Sequence, residues 1–351
     1  MPDVVFEMYS VPTFETGHPE YLYGREIASS KIVVKKNDIL LCKINPRINR
    51  VWIVLDESDN PNIASSEWIV IRTDEYNPEF LAWYFRTPQF QQRMMSEVTG
   101  IGGSLTRAQP KRVAEYPVPV LDRQKQDRIA TVLNKIANII SLRKQELKAY
   151  DELIKSRFIE MFGDPEQNPN GYPIKDFDEI SVLVTDGEHA TPHRTEKGIY
   201  LLSARNILNH ALQLDDVDYI DEDEYARIAQ RVVPQAGDVL ISCSGSIGRC
   251  CVVPDGLQFQ MVRSVALIRF DNTINPIFAE WLITSDELQR QIALSATQSS
   301  QANLFQGKIR KLHGYVPPME FQQEFVAFVE QTNKSKLLYR FWGNSLSQKV
   351  K

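Results

Sequence analysis

Eight residues from Lys43 to Arg50 carry Lys43, Asn45, Arg47, Asn49 and Arg50, directly after the apolar run 39–42. Ammonium, guanidinium and amide groups at that density suit the phosphates and base edges of a nucleic acid, although an ordinary basic hairpin has the same composition. A second polar stretch, 188–197, holds His189, Thr191, His193, Arg194 and Lys197, and Ser203, Arg205 and Asn206 follow a strand that ends near Leu202. Ser244, Ser246 and Arg249 lie in a run of small residues that could cradle a phosphate through its N–H groups or simply join two strands tightly. Ser104, Thr106 and Arg107, with Lys111 and Arg112, recur in kind as Lys308, Arg310 and Lys311. Together these residues are the candidate DNA-binding surface, against the alternative of solvated charged faces.

Catalytic constellations are scarce. The chain lacks a G-x-x-x-x-G-K-[ST] phosphate loop, a G-x-S-x-G nucleophile turn and an Asn-Pro-Pro-aromatic motif. Cys42, Cys243, Cys250 and Cys251 do not have zinc-ligand spacing and read as small buried hydrophobes. His189 and His193 are the one close histidine pair, and Thr191-Pro192 between them points to a loop, so no metal site is expected. The acidic run 215–224 reads as a solvated face and a helix start. No catalytic residue is assigned.

A net charge of −5 means that any nucleic acid is met by local basic surfaces and not by the overall field. With 43% hydrophobic residues in 351, the chain can fill two or three cores. Four cysteines at this length fit a reducing cytoplasm. No apolar run approaches the roughly 18 residues that span a bilayer, and Met1-Pro2-Asp3 does not open a secretory signal. A cytoplasmic location is expected.

These groups must be positioned by a duplicated scaffold. Val33-Val34 through Asp38 to Cys42 reads like Val232-Val233 through Asp238 to Cys243; Asn77-Pro78 with Trp83 reads like Asn275-Pro276 with Trp281; Leu105, Lys111-Arg112 and Pro119 read like Leu304, Arg310-Lys311 and Pro318. Glutamines then follow in both copies, Gln124 and Gln126 in one, Gln322 and Gln323 in the other. In each copy alternating strands come first, then a short helix near 78–95 or 276–295, a polar loop, and a Pro-containing close. Between the copies a helix is expected from about Asp122 to Met161, stopped by Gly163 and Pro165. At 1.5 Å per residue it is a rod of roughly 60 Å, which needs a partner helix. The second copy supplies one from about Glu320. The expected packing residues are Ile129, Val132, Ile136, Ile140, Leu147, Leu153 and Ile154 on the first helix, and Phe325, Phe328 and Val329 on the second, with Phe321 beside them; Trp342-Gly343-Asn344 is expected to interrupt the second.

The stretch 117–130, Pro-Val-Pro followed by Gln126 and Ile129, together with Met161-Phe162-Gly163-Asp164-Pro165, resembles the entry to and exit from the long central helix of the specificity subunits of type I restriction–modification systems. Gly237-Asp238-Val239-Leu240-Ile241-Ser242 with Ser246-Ile247-Gly248, and Lys43 through Ile48, resemble that family's target-recognition domains. The resemblance covers nearly the whole chain and lies in the order of the pieces. It implies an α+β fold: two β-rich globular target-recognition domains joined by long antiparallel coiled-coil helices, with a pseudo-twofold internal repeat. The implied domains are 1–121, 122–163 (central helix), 164–319 and 320–351 (a short last helix). It further implies a non-catalytic reader of double-stranded DNA, each domain reading half of a bipartite asymmetric site. Two adenine methyltransferase (M) subunits would dock on the helices and restriction/translocase (R) subunits would join them, with no membrane role. S-adenosylmethionine, Mg and ATP are implied on those partners only. The alternative is a non-catalytic protein-interaction scaffold built on the helices. One departure bears on the first domain: 37 residues precede Asp38, whereas 67 run from Gly171 through Gly237, so front strands present in the second copy are expected to be missing from the first.

Overall fold

The computed structural model describes residues 2–96, 98–99, 106–296 and 303–347, the last eleven as backbone only. It divides into two compact units, Met1–Lys144 and Gln145–Lys351. Ser104, and most of the two polar loops expected near it and near 295–303, lie outside the described residues.

The first unit contains β1 (Val5–Tyr9), β2 (Glu20–Tyr23), β3 (Lys31–Val33), β4 (Ile39–Cys42), β5 (Val51–Ile53), β6 (Asn62–Ser65) and β7 (Trp68–Ile71). Then come α1 (Pro78–Phe85), α2 (Pro88–Ser96), β8 (Val98–Thr99), β9 (Arg107–Ala108), α3 (Pro110–Val113) and the long α4 (Arg123–Phe162), whose first half belongs to this unit. One sheet has the order β2-β1-β6-β3, with β1 and β6 parallel; another is β5-β4-β7. Successive side chains of a strand face opposite ways. In β4, Ile39 and Leu41 therefore join α1, α2 and Ala130 of α4 in one core, while Leu40 and Cys42 join Tyr9, Trp52 and Trp68 in another. Cover on both faces explains why β4 is an unbroken apolar run.

The second unit contains β10 (Ile174–Asp176), β11 (Ser181–Asp186), β12 (Ile199–Leu202), β13 (Ile207–Leu208), β14 (Ala211–Leu212), β15 (Asp218–Ile220), α5 (Glu222–Ala229), β16 (Val239–Ser242) and β17 (Cys250–Val252). It continues with β18 (Phe259–Met261), β19 (Val265–Phe270), α6 (Pro276–Ile283), α7 (Asp286–Ala296), α8 (Gln306–Ile309), β20 (His313–Tyr315) and α9 (Met319–Ser347). The order β11-β19-β16-β17 repeats β7-β4-β5 with one strand added, and β12 and β18 are parallel, as β1 and β6 are. Among the described residues nothing pairs with β7 where β11 pairs with β19.

The same small devices recur in each unit. Asp38 accepts from Arg72 Nε at 2.7 Å and from the Lys35 N–H, and Asp238 accepts from Arg269 Nε at 2.7 Å and from the Gln235 N–H. The residue before each aspartate has positive φ, Asn37 at 71° and Gly237 at 87°, a conformation that asparagine and glycine tolerate best. Gln126, 2% exposed, accepts from the Asn77 N–H and donates to Leu121 O. Gln322, fully buried, accepts from the Asn275 N–H and donates to Pro317 O. Asn77 and Asn275 cap α1 and α6.

Three expectations about helices need correction. The short helix of each copy is two helices, because Thr87 and Ser285 each cap a new turn through a side-chain oxygen. α9 runs through Trp342-Gly343-Asn344 without a break, since one interior glycine costs a helix only about 1 kcal/mol. The expected seam is also only partly covered. Ile154, Phe325 and Val329 are buried and Phe328 packs against the same core, together with Phe158 and Phe162. Ile136 and Leu147 are half-buried. Ile129, Val132, Ile140, Leu153 and Phe321 are exposed within the chain, as are Ile139 and Leu142. Within the second unit Asp151 pairs with Lys336 and Arg157 with Glu324. Numbers rise along α4 as they fall along α9, so these two stretches are antiparallel.

Candidate nucleic-acid interface

In the first unit the turn between β4 and β5 brings the basic stretch beside β9. The Asn45 N–H donates to Thr106 O and the Ala108 N–H to Lys43 O, both at 2.8 Å, and Arg107 reaches Glu67 at 3.3 Å. Thr106 and Arg107 thus join the patch from sixty residues away in sequence. The five candidates of the stretch do not all face outward. Arg47 is exposed and has no ion-pair partner among the described residues. Lys43 is tied to Ser66 O at 2.6 Å. Asn49 and Arg50 are corrections: Asn49 donates inward to Phe85 O at 3.1 Å, and Arg50, its side chain 16% exposed, lies back toward Cys42 and Glu15. Asn45 has φ 44° and holds the bend, its side-chain oxygen buried without a partner.

In the second unit two stretches converge on Ser264. Its carbonyl accepts from the Cys243 N–H at 2.8 Å and its hydroxyl from the Ala204 N–H at 3.0 Å. Ala204, between Ser203 and Arg205, and Cys243, next to Ser244, are thereby held on one residue. The small-residue run connects β16 to β17, and at its far end the Gly248 N–H is taken by Ser242 O and the Arg249 N–H by the Ser242 hydroxyl. Ser246 is exposed, and Arg249 is half-exposed with no ion pair among the described residues. Asn206 is another correction. It is 1% exposed, accepts from Ser203 and donates to Gln213 O and Asp216 O, so its polar atoms are spent on shaping the turn.

Most other cations of this unit are braced by carboxylates. Arg194 and Arg205 meet on Asp218 at 2.9 and 2.8 Å, and the Arg194 hydrogen bond, with Arg205 behind it, holds the Asp218 carboxyl below its usual range. Asp186 accepts from His189 at 2.9 Å, from Arg231 and from Gln306. The Glu224 carboxyl is pulled down to about 2, first by its hydrogen bond from Arg227, and it also accepts the His193 N–H. Arg310 is tied to Asp178 and Val184 O. Thr191 and Lys197 are exposed and Lys308 is half-exposed. The rest of the acidic run starts α5, where Asp221 caps the helix.

Several residues that shape this surface have no outward chemical signature. Ser264, Asp186 and Asp218 act as braces, and Gln91 of α2 and Gln289 of α7 hold the β4–β5 and β16–β17 turns: Gln91 donates to Arg47 O at 2.6 Å and Gln289 to Gly248 O at 3.0 Å. One signal was available for the glutamines, since each lies fourteen residues beyond the capping asparagine (77 to 91, 275 to 289). All four cysteines are free and buried, and burial pushes the Cys243 thiol up to about 12. Among the described residues no three His, Cys, Asp or Glu side chains converge to hold a metal ion, and no helix is long and apolar enough to cross a membrane.

Neither a protein-family model nor a curated protein matches the sequence. Solved structures do match in fold. The S subunit of a type I restriction–modification system from M. genitalium aligns over 99% of this chain and 87% of its own, with TM-score 0.59 and 13% identity. A chain from a structure concerning complex assembly and conformational transition of the type I R-M system aligns over 99% of this chain and 89% of its own, with TM-score 0.53 and 17% identity. The chain has the fold of these proteins across nearly its whole length, long central helix included.

Proposed function

We propose that this chain is the DNA-specificity subunit of a type I restriction–modification complex. The observation that supports the reading is a set of devices that recur in the two units, the Asp38–Arg72 and Asp238–Arg269 pairs among them, beside unlike polar turns at 43–50 and 243–249. A repeated frame with different turns is what reading two different half-sites requires, and base-edge contacts need such groups at the rim of a rigid frame. In this reading each unit reads one half of a bipartite asymmetric site in double-stranded DNA. α4 and α9 form the antiparallel spacer of a pseudo-twofold molecule, fixing half-site separation much as dimer geometry does elsewhere. Two adenine methyltransferase subunits dock on the helices, and restriction/translocase subunits join that assembly. The chain itself does no chemistry; S-adenosylmethionine, Mg and ATP belong to the partners.

Co-expression with the methyltransferase subunit followed by mapping of methylated adenines tests the proposal. A stable complex that modifies one asymmetric two-part sequence is expected. Methylation irrespective of sequence, or no association, overturns it. The exposed apolar residues Ile129, Val132, Ile139 and Ile140 on α4 favour a second reading, a scaffold that uses the helices alone. Arg47→Ala and Arg249→Ala separate the two: DNA affinity falls in the first reading and is unchanged in the second.

A further inference from the structure

Gln91 and Gln289 occupy the same position in the two units. Each sits one turn into its helix, its N–H bonded to the carbonyl of the capping residue, Thr87 or Ser285, at 3.0 Å. Each sends its side-chain amide to the turn that leaves the central strand. Gln91 Nε2 donates to Arg47 O at 2.6 Å, with Pro46 O at 3.4 Å. Gln289 Nε2 donates to Gly248 O at 3.0 Å and to Ile283 O at 2.8 Å. Apart from a shared Ile-x-Arg ending (Ile48 to Arg50, Ile247 to Arg249) the two turns differ in sequence and in length, yet each has a backbone carbonyl held by a glutamine amide from the following helix. In both, it grips the backbone at or beside an arginine that has no ion-pair partner among the described residues, Arg47 in one and Arg249 in the other.

The close approach is visible in residue choice. Gly248 has φ 87°, where a side chain is strained, and a Cβ there would lie 2.8 Å from Gln289 Oε1, the movable end of the clamp, and 3.2 Å from Ile292 Cγ2, so a larger residue would displace the clamp. A turn that reads bases must hold its side chains to a fraction of an ångström, because a hydrogen bond fails when donor and acceptor move apart or tilt. We infer that Gln91 and Gln289 are positioning residues, each setting the shape of one reading turn and so the base preference at one half-site. This rests on the DNA-reading function proposed above. The glutamines need not touch DNA; they act through Arg47, Arg249 and their neighbours.

The test uses the assembled complex with its methyltransferase subunits on its own mapped target. Gln91→Met and Gln289→Met keep side-chain length and remove the donor. Methylation is measured on a panel of DNAs carrying single base changes in either half-site, beside thermal midpoints. Each variant is expected to lose roughly tenfold of discrimination, the scale of a well-made base contact, in one half-site only, a different half for each. The thermal midpoint should move by no more than a few degrees. Gly248→Ala, which presses on the clamp while leaving Gln289 intact, should affect the same half as Gln289→Met. A uniform fall in affinity with unchanged base preference, or no change at all, overturns the inference. Arg47→Ala and Arg249→Ala run alongside: if they alter base preference and the glutamine variants do not, the positioning role alone is wrong. If neither arginine variant changes DNA binding, the DNA-reading function of these turns is wrong as well.

Discussion

The second unit's polar surface depends on which cations have been paired with carboxylates. Arg194 and Arg205 share Asp218, while Arg227 and the His193 N–H share Glu224. Such pairs add little stability where exposed, but they fix the direction of long side chains. The Glu224 carboxyl lies near 2 when folded, below its ordinary 4.5. Its pairing therefore contributes fully above about pH 4.5 and is lost as the pH falls toward about 2. We expect acid titration to loosen the 193 region and α5 over that window, and Glu224→Gln to remove that part of the pH dependence; hydrogen exchange across 193–229 checks both. At this scale the sequence was legible by residue type but not by direction. Arg47 and Asn49 look alike as polar turn residues, yet one faces solvent and the other donates to Phe85 O. Direction follows from which backbone carbonyls the fold leaves unpaired nearby.

At the scale of elements, the repeated bolt between domain and helix is the buried glutamine. Gln126 and Gln322 each satisfy the N–H of a capping asparagine and a carbonyl ahead of the long helix. Replacement by alanine leaves those groups buried and unsatisfied, at about 1–3 kcal/mol each. Gln126→Ala is expected to destabilise the first unit and Gln322→Ala the second, read as separate shifts in denaturant unfolding followed by hydrogen exchange in each unit. The strands, the capped helices and the stop at Gly163 were legible because they rest on local rules: an apolar run, an Asn-Pro start, a glycine end. The split between α1 and α2 was less so, because Thr87 becomes a cap only when Phe90 and Phe85 pack together beneath it. The helix seam misled at Val132, Ile140 and Leu153, since periodicity marks an apolar face without saying what covers it.

For the molecule as a whole, a net charge of −5 sets the terms on which the proposed DNA-reading function would work. Under that function phosphate contacts come from a few local cations, so the chain without its partners should bind weakly and with a salt dependence of only a few counterions. Arg47→Ala and Arg249→Ala should each flatten the plot of log affinity against log salt by about one if the guanidinium meets a phosphate; fluorescence anisotropy over a salt series measures this. The sequence by itself determined the recurring motifs, the long helix and the absence of familiar catalytic motifs, because these are carried by composition, spacing and local backbone preference. Only the tertiary structure decided which polar residues reach solvent, that residues 43–50 meet 106–108, that Ser264 joins two stretches some forty residues apart, and that Gln91 and Gln289 clamp the turns. Those outcomes depend on hydrogen bonds between residues far apart in the chain, whose partners are chosen by packing geometry that no local pattern encodes.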